Sequence, residues 1–142
     1  MTHRYIGTKE VVAWLAEKDG KPGYGVKYED GYTSWSPKET FEAAYRTSEP
    51  GLPQALNFGD ALHYMKLGKK VMRAGWNGKG QWVRFFNVGT DKQFILAEGT
   101  PDPKIGDSGT FMPFFGLHNA QNQFIPWQPS QGDMLASDWA VL

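Results

Sequence analysis

The chain contains no cysteine, no long apolar run and no net charge. Without cysteine it can form neither disulfides nor thiolate metal sites, which fits a cytosolic protein. No apolar stretch approaches the ~20 residues that cross a bilayer, and the opening MTHRYIGTKE contains no apolar signal core. With 15 basic and 15 acidic residues among 142, a general electrostatic grip on long DNA or RNA is not expected. We therefore expect a soluble, cytoplasmic protein of one ordinary domain or two very small ones.

Catalytic sequence motifs are missing as well. The chain has no GxSxG, no Walker loop and no GxGxxG between a strand and a helix. His3, His63 and His118 lack a ligand spacing such as HxxxH, so we expect each to be structural or exposed rather than bound to a metal. Asp133 and Asp138 lie across a predicted helix end, where carboxylates more often cap and solubilise than perform acid–base chemistry. The sequence indicates a protein that is not an enzyme and needs no cofactor.

Aromatic residues are abundant, at 15% of the chain with six tryptophans. Tryptophan beyond what a small core requires often marks an interface or a flat stacking platform for sugars and bases. Positive charge is concentrated too, because no acidic residue lies between Asp60 and Asp91. The basic residues of this interval are Lys66, Lys69, Lys70, Arg73, Lys79 and Arg84. They form either a solvated basic face or a local site for a small anion.

A segment with two prolines and a glycine, SEPGLP at 48–53, predicts a linker that divides the chain into 1–47 and 55–142. In the first part, residues 8–16 are rich in β-formers and predict a strand, with a helix as the alternative. A turn at 19–23 and a hairpin over 24–35 follow. Ser36 as N-cap, Pro37 at the first helical position and Glu39 at the third predict a capping box that opens a helix.

In the second part, Asn57 and Asp60 predict the start of a helix that Gly68 ends. Short β-prone segments come after it, at 71–74, 82–88, 94–97, 110–117 and 124–127. A helical turn at 130–136 and a last strand at 139–142 end the chain's predicted elements. The predicted fold class is α+β. One helix packs on a small, meandering antiparallel β-sheet, and a small β-hairpin and helix module precedes it.

The stretch RAGWNGKG at 73–80 carries the strongest candidate site. Its glycines allow close backbone approach, and the backbone N–H groups of such a turn can hold phosphate oxygens. Arg73 can grip a phosphate bidentately, Trp76 can stack on a base, and Asn77 offers both a donor and an acceptor. The alternative is a hairpin turn at Asn77 and Gly78 whose tryptophan is a core plug.

A second stretch, at 124–139, places two tryptophans around a helix start, where free N–H groups attract anions. Leu135 and Trp139 have the pattern of core residues, whereas Trp127 and Asp133 are less committed to the core. The Asp133 carboxylate can accept hydrogen bonds from hydroxyl or amino groups of a ligand. The candidate ligand-binding residues are Arg73, Trp76, Asn77, Trp127, Ser130 and Asp133.

Several of these segments resemble one known family. The segments are NFGDAL at 57–62, KLGKKV at 66–71, RAGWNGKG at 73–80, PWQPSQ at 126–131, DMLA at 133–136 and DW at 138–139. Over roughly 55–142 the chain is similar to the second Thoeris anti-defence family of phage proteins. That resemblance implies a homotetrameric sponge that binds cyclic ADP-ribose isomers made by bacterial TIR-domain immune proteins, without catalysis and in the cytoplasm of the infected host. Some members also bind cyclic oligonucleotides at a separate site. Residues 1–47 depart from this pattern and resemble a phage module of unknown role.

Two other functions stay open on the residues alone. Exposed aromatics, with Trp76 and Trp127 as hot spots, also suit a protein–protein inhibitor of a host enzyme. A tryptophan-rich small β protein also suits a carbohydrate-binding phage module. The aromatic surplus on so small a domain predicts a homo-oligomer, because monomers rarely leave large apolar patches in water.

Overall fold

The computed structural model describes residues 1–86 and 112–142, which form two compact units, Met1–Arg46 and Thr47–Leu142. The strand predicted at 94–97 lies outside the described residues, as do the end of the strand predicted at 82–88 and the start of the one predicted at 110–117. Among the described residues, no helix has the length and apolar character needed to cross a membrane.

The first unit is a three-stranded antiparallel sheet with one short helix. Its strands are β1 (Val12–Lys18), β2 (Lys21–Lys27) and β3 (Thr33–Pro37), in the order β1-β2-β3, and α1 (Lys38–Ala44) follows. Asp19 and Gly20 turn β1 into β2 with φ of 52° and 74°. Residues 12–16 of the segment predicted at 8–16 are therefore strand rather than helix, whereas residues 8–11 lie outside β1. The predicted hairpin and helix are confirmed.

The predicted capping box at Ser36 is wrong. Ser36 pairs with Tyr24 in the sheet, and the N-cap position falls one residue later, at Pro37, whose side chain makes no capping hydrogen bond. Pairing with β2 keeps Ser36 extended, so its hydroxyl bonds weakly to the Pro37 carbonyl oxygen at 3.4 Å. Packing positions α1 instead: the Phe41 ring stacks on Tyr24 at a centroid distance of 4.3 Å.

In its described residues, the second unit contains a five-stranded antiparallel sheet. Its strands are β4 (Val71–Arg73), β5 (Trp82–Phe86), β6 (Phe114–His118), β7 (Phe124–Pro126) and β8 (Trp139–Val141). Their order is β7-β6-β5-β4-β8, so a meander of four strands is completed by the last strand, which returns beside β4. The predicted meandering antiparallel sheet and the α+β class are confirmed.

Helix α2 (Phe58–Lys66) packs on one face of this sheet and begins where the sequence predicted. Asn57 Oδ1 accepts from the Asp60 N–H at 2.8 Å, and Asp60 Oδ2 accepts from the Asn57 N–H at 3.0 Å. Gly68 follows the helix at φ 84°, the left-handed conformation that ends many helices. The buried core between helix and sheet consists of Leu56, Ala61, Tyr64, Met65, Val71, Val83, Trp139 and Val141.

Candidate functional site

Two segments that are far apart in the sequence meet at one end of the second unit's sheet. Arg73, the last residue of β4, pairs with Trp139, the first residue of β8. The loop at 74–81 leaves β4 at this point, and the short helix α3 (Gln131–Leu135) ends just before β8. Strand pairing therefore brings the RAGWNGKG loop against α3.

Asp133 joins the two segments. Its Oδ2 accepts from the N–H and the hydroxyl of Ser130, both at 2.9 Å, and completes a capping box at the start of α3. Its Oδ1 accepts from Arg73 Nη1 at 2.9 Å and from the Trp76 indole Nε1 at 3.3 Å. The capping role that the sequence predicted for Asp133 is confirmed, but the residue is more buried than predicted, at 9% exposure. Its carboxylate is a structural acceptor.

Arg73 is held by a second carboxylate as well. Its Nε donates to Asp138 Oδ1 at 2.8 Å, and Asp138 Oδ2 accepts from the Gly75 N–H at 2.8 Å. The Arg73 side chain is 22% exposed. Two of the donors that were expected to grip a ligand phosphate are thus given to carboxylates of the chain itself. Sequence reasoning had treated Asp138 as a capping or solubilising residue, and only its position next to Trp139 in β8 indicated a place at the sheet end.

The three charged groups stabilise one another's ionised forms. Hydrogen bonds to Asp138 and Asp133 raise the pKa of Arg73, and the hydrogen bond from Arg73 lowers the pKa of Asp138. Burial raises the pKa of Asp133, but hydrogen bonds from Ser130, Arg73 and Trp76 outweigh burial and leave it below its ordinary value. At neutral pH one cation faces two anions, so the cluster carries a net charge of about −1. It favours hydroxyl or amino donors over a phosphate.

Three tryptophans pack beside this cluster. The ring centroids of Trp76 lie 6.4 Å from Trp127 and 5.4 Å from Trp139, with edge-on geometry. Trp139 is fully buried, as predicted, and its Nε1 donates to the Asp133 carbonyl oxygen at 2.9 Å. Trp76 and Trp127 are half-buried against the core. Trp76 therefore packs against the core on one side and keeps part of its ring surface exposed to solvent.

The remaining predicted residues lie around this centre. Asn77 is exposed in the 74–81 loop, and Ser130 is the N-cap of α3. Gly75 approaches the cluster so closely that a Cβ there would lie 2.8 Å from Asp138 Oδ2. Leu135 was expected in the core but is 84% exposed. The reason is that α3 is only five residues long and buries Asp133 instead.

Another aromatic row lies on the sheet face opposite α2 and was not singled out from sequence. Trp82 stacks on His118 with a centroid distance of 4.8 Å and an interplanar angle of 6°. Lys70 Nζ lies 4.4 Å from the Trp82 ring centroid. Within the described ranges, no group of three or more histidine and acidic residues could hold a metal ion. Trp82 is thus a partly exposed tryptophan on a different face from Trp76.

Comparison with known proteins matches the unit that contains this cluster. The model of the Thoeris anti-defense 2-like domain matches residues 56–142. A protein of Bacillus phage SP01, named Thoeris anti-defense 2, is 32% identical over 90 residues, which cover 61% of this chain and 94% of that relative. The matched region contains the 74–81 loop, α3 and every candidate site residue. Residues 1–55 lie outside the matched domain.

Proposed function

This chain belongs to the Thoeris anti-defense 2-like family, and from that premise we propose that it binds and sequesters a nucleotide immune signal without cleaving it. The family supports a role in phage anti-defence inside the infected bacterial host. The proposed ligand is a cyclic ADP-ribose isomer, with cyclic oligonucleotides as a second class. The observation that carries the proposal is the meeting of two half-buried tryptophans, Trp76 and Trp127, with a polar cluster at one end of the sheet.

Trp76 is suited to stack on the adenine. Its indole N–H is fixed by Asp133, which limits rotation of the ring, and its partial exposure leaves aromatic surface for a base. Trp127 lies edge-on to Trp76 and supplies a second wall. Such a preorganised pair loses little conformational freedom when the ligand binds.

The charges divide the proposed site into two parts. Because the Arg73, Asp133 and Asp138 cluster is net negative, we assign ribose hydroxyls or the adenine amino group to its side. The N–H groups of Ala74, Gly75 and Trp76 already donate within the chain. We therefore assign the phosphates to the outer part of the loop, at the exposed Asn77 and Lys79. Arg73 then contributes mainly by holding the loop and α3 together, and Ser130 does so through the cap. These residues come from one subunit or from neighbouring subunits.

We also propose a homotetramer. Large apolar side chains are exposed on the second unit, among them Phe124 at 57%, Ile125 at 44% and Leu135 at 84%. Assembly would remove such side chains from water, which is the physical support for this proposal. Multi-angle light scattering at micromolar concentration should give four times the mass of one chain, and a monomer mass would contradict the assembly.

The function is tested by calorimetric titration of a cyclic ADP-ribose isomer into the wild type, Trp76→Ala and Trp127→Ala. Loss of a stacked tryptophan should weaken binding about tenfold to a hundredfold. Trp82→Ala is the matched control, because it removes a partly exposed tryptophan from the opposite face of the same sheet. The released ligand should be chromatographically unchanged after long incubation.

Melting curves of each variant separate lost contacts from lost folding. If a folded Trp76→Ala variant binds as tightly as the wild type, Trp76 does not belong to the ligand site. If the wild type binds no cyclic nucleotide, the proposed function is wrong. Binding of sugars in a parallel thermal-shift panel would then favour the carbohydrate module, and capture of a host enzyme would favour the protein–protein inhibitor.

A further inference from the structure

The first unit's sheet carries a pair of tryptophans on the face opposite α1. Trp14 of β1 and Trp35 of β3 are both paired with Gly25 of the central strand, so their side chains lie on the same face. Helix α1 covers the other face, where Phe41 stacks on Tyr24. The two tryptophans are therefore not part of the core that α1 makes with the sheet.

Both indole rings lie against the backbone of the central strand. A Cβ added at Gly25 would overlap the Trp14 ring, and one added at Gly23 would overlap the Trp35 ring. A glycine inside a strand lowers the stability of that strand. The central strand nevertheless has glycines at 23 and 25, because a side chain at either position would occupy the space of a tryptophan ring. Trp35 is also fixed by a hydrogen bond from its Nε1 to the Ala16 carbonyl oxygen at 2.9 Å.

The outer surface of this pair is open. Trp14 is 49% exposed and Trp35 is half-buried. Rings that lie over the backbone with open outer surface form a flat platform, which we name the Trp14–Trp35 platform. Its geometry suits stacking on a planar group, because the rings are already ordered before a ligand arrives.

Charge on the two faces of this sheet is segregated. Within the three strands, which the structure describes in full, the charged residues on the platform face are Lys18, Lys21 and Lys27. The charged residue on the α1 face is Glu17. Lys18 Nζ lies 5.8 Å from the Trp35 ring centroid. Cations around stacked aromatics are the combination that binds single strands, in which bases stack and phosphates follow the positive groups.

We propose that the Trp14–Trp35 platform binds a short stretch of single-stranded nucleic acid. A duplex hides its base faces, and an uncharged sugar or an apolar protein surface gains nothing from three lysines. The zero net charge of the whole chain argued against a grip on long DNA or RNA. Here the alternation of side chains along the strands places Lys18, Lys21 and Lys27 on one face, where they can contact two or three phosphates. The site lies outside the matched family domain and does not depend on the proposed sponge function.

The test is fluorescence anisotropy of labelled oligothymidylate and oligouridylate, about eight nucleotides long, with the full-length protein. Trp14→Ala should weaken binding roughly tenfold, and Trp14→Phe should recover part of the loss. Leu15→Ala is the matched control, since Leu15 is the next residue of β1, is 77% exposed and lies on the α1 face. Binding by Leu15→Ala should equal that of the wild type.

Salt dependence tests the lysines separately. Up to three phosphate contacts predict a log–log slope of about −2 for a single strand, and Lys18→Gln or Lys27→Gln should each reduce it by about 0.7. These exposed substitutions leave the rings in place, so they keep the proposal testable if Trp14→Ala unfolds the unit. Calorimetry with a cyclic ADP-ribose isomer on Trp14→Ala should match the wild type, which separates this site from the sponge site.

The proposal is overturned if neither oligonucleotide binds at about 50 mM salt. It is equally overturned if folded Trp14→Ala binds as tightly as the wild type, or if Lys18→Gln and Lys27→Gln both have the same salt slope as the wild type. Binding of neutral oligosaccharides alone would assign the platform to sugars. Self-association that Trp14→Ala abolishes, without oligonucleotide binding, would assign it to a second copy of the chain.

Discussion

Replacing Asp133 by alanine should destabilise the second unit more than any other single change at the candidate site. Asp133 is the acceptor that connects α3, the 74–81 loop and the end of β4 through hydrogen bonds from Ser130, Arg73 and Trp76. Alanine leaves the N–H of Ser130 and the indole N–H of Trp76 without this acceptor. The change also leaves Arg73 with one carboxylate partner, Asp138.

The magnitude follows from two losses. The capping box at Ser130 contributes about 1 kcal/mol. Breaking a fully buried ion pair costs about 3–5 kcal/mol, but Arg73 keeps Asp138 and is 22% exposed, so about 2 kcal/mol is the better figure. The sum is about 3 kcal/mol. For a unit of this size, each kcal/mol lowers Tm by about 4–8 °C, so the transition should move down by roughly 12–24 °C.

Scanning calorimetry of the full chain measures the transition of the second unit directly. Asp138→Ala is the matched control, because it also removes a carboxylate from Arg73 but at a side chain that is 34% exposed and outside the cap. That variant should cost about 1 kcal/mol. If Asp133→Ala lowers Tm by only a few degrees, or by less than Asp138→Ala does, Asp133 is not the residue that joins the two segments.

Three further predictions concern the same unit. The pKa values of Asp133 and Asp138 are depressed below the ordinary 3.8, so the stability that these carboxylates contribute is present above about pH 4 and is lost as pH falls through their folded-state pKa values. Urea midpoints measured from pH 7 to pH 2 should therefore fall steeply at the acid end, and Asp133→Asn should make that fall shallower. Gly75→Ala should destabilise by about 1–2 kcal/mol, since its Cβ would crowd Asp138 Oδ2, and an unchanged melting temperature would contradict the close approach. A chain that starts at Thr47 should unfold cooperatively and bind the cyclic nucleotide like the full chain, and an insoluble product would argue against independent folding.

Local chemistry made much of the second unit predictable. The Asn57 and Asp60 box, the Gly68 stop and the start of α3 at Ser130 depend on side chains that reach backbone groups within a few residues, so the sequence signal is self-contained. Turn residues separate the short β-prone segments, and the segments predicted at 71–74, 82–88, 110–117, 124–127 and 139–142 each contain strand residues in their described parts. Where a local signal competed with strand pairing, as at Ser36, pairing prevailed and the prediction failed.

The sequence by itself determined the family-like motifs, the α+β class and a set of candidate site residues, but it gave Asp138 only a capping or solubilising role. Only the tertiary structure decided what those residues do to one another. Asp133 and Asp138 lie 60 and 65 residues after Arg73 in the sequence. They meet it because β8, at the end of the unit's sequence, pairs with β4 near its beginning. No local propensity specifies that pairing, since it depends on burying Trp139 between helix and sheet. The same non-local packing turned an expected phosphate grip into an internal ion-pair cluster and left Trp76 half in the core and half at the surface.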